Sequence, residues 1–145
     1  MRHIVFLIAY IYFLLIDCKR KEIDILALTI YAVVALITIA ITYKEINTES
    51  LIDTIFSIAF GLAIYFVSYF SGEGIGLADG MYFVINGLLL SLKENIILFL
   101  TGIVVAFVVG MITFYFGKFK NKKNLRLPFM PCFLPAIIGY ILCIV

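Results

Sequence analysis

Apolar residues along this chain run in long blocks separated by short polar connectors. A helix needs about 20 residues to cross roughly 30 Å of hydrocarbon. On that scale the blocks predict six helical spans: 3–17, 25–43, 51–70, 76–92, 96–117 and 127–145. Strict alternation does not define a barrel, and an open sheet cannot satisfy its backbone in lipid, so the blocks read as helices. The first and fourth are short in their purely apolar parts, and each carries an aspartate at one end, Asp17 and Asp79. The prediction is an all-α polytopic membrane protein with one membrane-embedded domain over 1–145.

Composition agrees with that pattern. The 145 residues are 65% hydrophobic and 14% charged, with a mean hydropathy of +1.19, whereas soluble domains are about 45–50% apolar and about 25% charged. Apolar blocks continue to the last residue, which argues against a cleaved signal peptide ahead of a soluble body. Cys18, Cys132 and Cys143 form neither a CxxC pair nor a metal-ligand pattern, and His3 is the one histidine. No metal, cofactor or nucleic-acid partner is therefore expected; the bilayer is.

Charge orients the helices. If six spans alternate in direction, one side receives Lys19, Arg20, Lys21, Lys118, Lys120, Lys122, Lys123 and Arg126, which is eight of the eleven Lys and Arg residues. The positive-inside rule assigns that side to the cytoplasm and both termini to the outside. Asp17 and Asp79, 62 residues apart, then fall at the same membrane face.

Two carboxylates close together cannot both ionise cheaply, so they share a proton. Such a pair suits peptide hydrolysis, one member activating water while the other protonates the carbonyl oxygen. Around the second acid, Gly72, Gly74, Gly76 and Gly80 would let an extended substrate strand approach the main chain. The same residues also read as a plain turn with a helix cap. The acids further suit a small transporter or channel component that binds a cation or relays protons, or a structural subunit that tolerates their loss. Asn86 and Gly87 predict that one face of the fourth helix meets another helix, and Gly102, Ala106 and Gly110 predict a close helix approach on the fifth.

The segments "IDCKRKEIDI" and "GEGIGLADG" resemble those of the type IV prepilin peptidase family of integral-membrane aspartyl proteases. That family combines an Asp in an "Asp, five residues, Ile-Pro-Asn" segment after helix 1 with a second in a "Gly-x-Gly-Asp" motif before helix 4. The resemblance places Asp17 and Ile23 on the first segment, Asp79 on the second acid and Gly87 on a later glycine; "LPFMPCFLP", with Pro128, Phe129 and Pro131, looks like the approach to the last helix. Asp24 and Ile25 stand in place of Pro-Asn, Ala78 in place of the glycine before the acid, and Met81 where lysine is common. The resemblance implies cleavage of a basic leader from a prepilin or pilin-like precursor at the cytoplasmic face of the cell membrane, with Asp17 and Asp79 catalytic. Without the cysteine-rich region of longer members, it implies a peptidase lacking methyltransferase activity.

Overall fold

A computed structural model of the chain describes residues 1–20, 24–42, 48–70, 76–116 and 129–144. They form six α-helices: α1 (Arg2–Arg20), α2 (Ile25–Thr42), α3 (Thr48–Phe70), α4 (Leu77–Leu89), α5 (Leu92–Phe116) and α6 (Leu134–Ile144), with a 3-10 turn, Met130–Phe133, leading into α6. Among the described residues no strand occurs. By length and apolarity, α2, α3 and the Leu92–Thr113 part of α5 each suffice to cross a membrane. The protein is a helical membrane protein.

Helix α4 is the centre of the bundle and touches α1, α2, α3 and α5, while the 3-10 turn lies between α1 and α5. Its 13 residues rise only about 20 Å, so it is a short element enclosed by longer ones. Backbones of α3 and α4 are in direct contact. A Cβ on Gly87 would lie 2.7 Å from the Ile58 nitrogen, one on Gly61 2.6 Å from the Phe83 oxygen, and one on Gly80 2.8 Å from the Tyr65 Cα. Only glycine fits such crossings, and close backbone approach is how helices gain packing where lipid offers no hydrophobic drive.

Buried polar residues secure the same core. Tyr31 on α2 donates to Asn86 Oδ1 on α4 at 2.7 Å, as the helix-facing expectation for Asn86 requires. From α5, Asn95 Nδ2 donates to the Ser57 hydroxyl at 3.2 Å and to the Phe83 carbonyl at 3.3 Å. Interhelical hydrogen bonds of this kind are worth roughly 0.6–2 kcal/mol each.

The boundary between α4 and α5 differs from the expected 92/96 division. Ser91 and Glu94 form a capping box: the Ser91 amide donates to Glu94 Oε2 at 2.8 Å, and the Glu94 amide donates to Ser91 Oγ at 3.3 Å. Asp53 of α3 accepts the Leu92 amide at 3.3 Å. These acceptors satisfy donors that a helix start leaves open, so α5 begins at Leu92. Gly102 also departs from expectation. The space its side chain would occupy is filled by the Phe133 ring, so it accommodates an aromatic residue from the 3-10 turn instead of a helix backbone.

Candidate active site

On α1, Phe6, Tyr10, Phe13 and Asp17 are all buried and recur at helical spacing, so one inward stripe ends in a carboxylate. The opposite face, with Ile4, Ile8, Ile11 and Leu15, is exposed and apolar, as a lipid-facing surface must be. Asp17 is 5% exposed. Its Oδ2 accepts the Met130 amide at 2.8 Å. That amide opens the 3-10 turn and has no acceptor within it, and the next residue, Pro131, has no N–H at all. Asp17 supplies the acceptor the turn lacks, and the turn supplies the donor that a buried carboxylate requires.

Asp79 is held by the start of its own helix. Gly76 is the N-cap of α4, with φ −63° and ψ 134°, which puts Asp79 at the third helical position. From there its carboxylate turns back and accepts the Gly76 amide, while the Gly76 carbonyl accepts the Asp79 amide at 3.0 Å. This is the acidic half of a capping box, favoured by the positive end of the helix dipole. A Cβ on Gly76 would stand 2.9 Å from Asp79 Oδ2, so the missing side chain leaves room for the acid.

The two carboxylates belong to helices that touch, and they lie close enough for their charges to interact. One turn further into the bundle, Phe13 of α1 meets Tyr82 of α4 edge-on with ring centroids 5.5 Å apart, and Tyr31 of α2 contacts both rings. This aromatic triangle ties the three helices together directly behind the acids. Asp17 is deeply buried and Asp79 is half-buried beside the exposed Gly76, so the pair has a closed inner wall and an accessible edge.

Of the four glycines expected to admit substrate, Gly76 adjoins Asp79 and is exposed, whereas Gly80 is buried against α3. Gly72 and Gly74 lie outside the described residues, as do Ile23 and Pro128. Asp24 is exposed and caps α2, its Oδ1 accepting the Leu26 amide at 3.2 Å. Sequence reasoning missed Tyr10, Phe13, Tyr82 and the Met130 amide. The aromatic residues had a signal, their helical offsets of seven and four residues from Asp17 and three from Asp79; the backbone amide had none.

Residues 4–111 match the model of the type IV leader peptidase family. The chain belongs to that family, and is accordingly a membrane peptidase of the leader-peptidase type. The match ends before the 3-10 turn that holds Asp17. No curated protein and no solved structure matches the chain.

Proposed function

We propose that the protein is an aspartyl endopeptidase that removes the basic leader from a prepilin or pilin-like precursor, with Asp17 and Asp79 as its catalytic pair. The observation that carries this reading is the contact of α1 with α4 through Phe13 and Tyr82, one turn from Asp17 and Asp79 respectively, which brings two carboxylates from different helices towards one another. In the reaction the pair holds one proton between its members. The ionised carboxylate removes a proton from water as the water oxygen attacks the scissile carbonyl, and the protonated one donates to the carbonyl oxygen. Collapse of the resulting gem-diol breaks the C–N bond, the leaving nitrogen takes a proton, and the dyad returns to its singly protonated state.

Substrate delivery fits the membrane setting. An apolar precursor helix partitions into the same bilayer and carries its leader junction to the depth of the pair, which recovers entropy otherwise lost in association. Gly76, exposed beside Asp79, supports main-chain approach at that point. Gly72 and Gly74 are assigned the same role; Gly80 contributes by seating α4 on α3. The eight-to-three distribution of Lys and Arg supports a cytoplasmic site in the cell membrane, six crossings and both termini outside. Incubating the detergent-solubilised protein with a leader-bearing precursor tests the assignment: one cut between the basic leader and the apolar helix is expected, and no cut contradicts it.

A further inference from the structure

Tyr10 and Asp17 lie seven residues apart on the buried stripe of α1, and both bond to one residue of the 3-10 turn. The Tyr10 hydroxyl donates to the Met130 carbonyl oxygen at 3.1 Å, and the Met130 amide donates to Asp17 Oδ2 at 2.8 Å. Tyr10 and Met130 are 1% and 0% exposed, so neither bond exchanges readily with water. We propose that Tyr10 is a positioning residue for Asp17, acting through Met130.

An aspartate at a helix terminus can rotate about two side-chain bonds, and an amide on one oxygen selects one orientation. That selection is only as good as the placement of the amide. Met130 is followed by Pro131, which donates no hydrogen bond, and the turn has only four residues, so local bonding holds its first residue weakly. The second point of attachment comes from Tyr10. With the carbonyl and amide of Met130 held by two side chains that lie two turns apart on α1, the donor to Asp17 Oδ2 is fixed in register with that helix. The other oxygen, Oδ1, is not the one that amide engages and would be the one offered to the reaction partner.

This positioning role rests on the two-aspartate reaction proposed above, and two readouts separate the ideas. In the cleavage assay, Tyr10→Phe keeps the ring and removes the hydroxyl. We expect kcat to fall roughly tenfold or more, since small misplacements of reacting groups can cost about a hundredfold, with KM changed less than about twofold. Tyr12→Phe, at an exposed tyrosine of the same helix, should match wild type. Independently of activity, the protein labelled with ¹⁵N-methionine reports the Met130 amide by NMR, assigned by Met130→Leu. Asp17→Ala marks the position of that amide without its acceptor, and Tyr10→Phe should move the signal towards it. An unmoved Met130 amide in Tyr10→Phe overturns the proposal whether or not the protein cleaves. A moved amide with wild-type kcat overturns it as well. A moved amide in a protein inactive in every form supports the clamp and counts against the peptidase assignment instead.

Discussion

Phe13 and Tyr82 meet edge-to-face at 5.5 Å, one helical turn inside Asp17 and Asp79 respectively, so an aromatic contact sets the spacing of α1 and α4 directly behind the carboxylates. Ring edges prefer this geometry because they carry positive charge towards the neighbouring π face. Phe13→Leu keeps an apolar side chain and loses the contact. It should cost roughly 0.5–1.5 kcal/mol of stability and lower kcat by a larger factor than that loss of folded protein explains. Thermal unfolding in detergent paired with precursor cleavage measures both.

At the start of α4 the expected effect is on turnover with little change in stability. Gly76→Ala places a methyl 2.9 Å from Asp79 Oδ2, and the flexible carboxylate can swing aside while the helix cannot. Cleavage should fall roughly tenfold to a hundredfold, the scale expected for a displaced reacting group, with stability lowered by no more than the roughly 1 kcal/mol that loss of one helix cap costs. Unimpaired cleavage would show that the acid does not need that space.

Along the α3–α4 interface the balance reverses. Gly87→Ala drives its Cβ to 2.7 Å from a backbone nitrogen, and backbone yields only by separating the helices. Overpacking of this kind costs about 1–3 kcal/mol or more. Gly139→Ala is the matched control, because nothing lies within 4 Å of the added carbon. The two variants should therefore separate clearly in a thermal melt, the first lowered and the second close to wild type.

Orientation in the membrane is open to cysteine labelling. With Cys18, Cys132 and Cys143 replaced, a cysteine at position 121 should react with an impermeant reagent only from the cytoplasmic side. Labelling only from the outside reverses the proposed topology and the membrane face assigned to the dyad.

Helix placement was legible in the sequence because hydropathy reports directly on span position, and all six expected blocks contain a helix. Rotation about each axis was far less legible. A span such as α2 is apolar on nearly every side, so its pattern does not say that Tyr31 faces inward while Val33 and Ile37 face out. Asn86 was the exception, since a mid-helix amide must find a partner. Gly102 shows the limit: a small residue signals a close approach without naming what approaches, and the neighbour was a phenylalanine ring. The α5 start at Leu92 was readable from Ser91 and Glu94, a local cap overshadowed by the apolar run beyond it. Asp17 and Asp79 were legible as candidates because acids at the edge of apolar helices are costly. The Met130 amide was not, because every residue except proline carries the same donor.

The most direct measurement compares wild type, Asp17→Asn and Asp79→Asn in a detergent-solubilised precursor cleavage assay, with and without a chelator. Asparagine preserves size but cannot exchange protons, and a general acid or base contributes about 10²–10⁴-fold in rate. Each variant should therefore bind precursor and remain folded while losing nearly all turnover, the double variant should be little worse than either single one, and chelator should have no effect. Near-wild-type cleavage by either variant would contradict the two-aspartate mechanism.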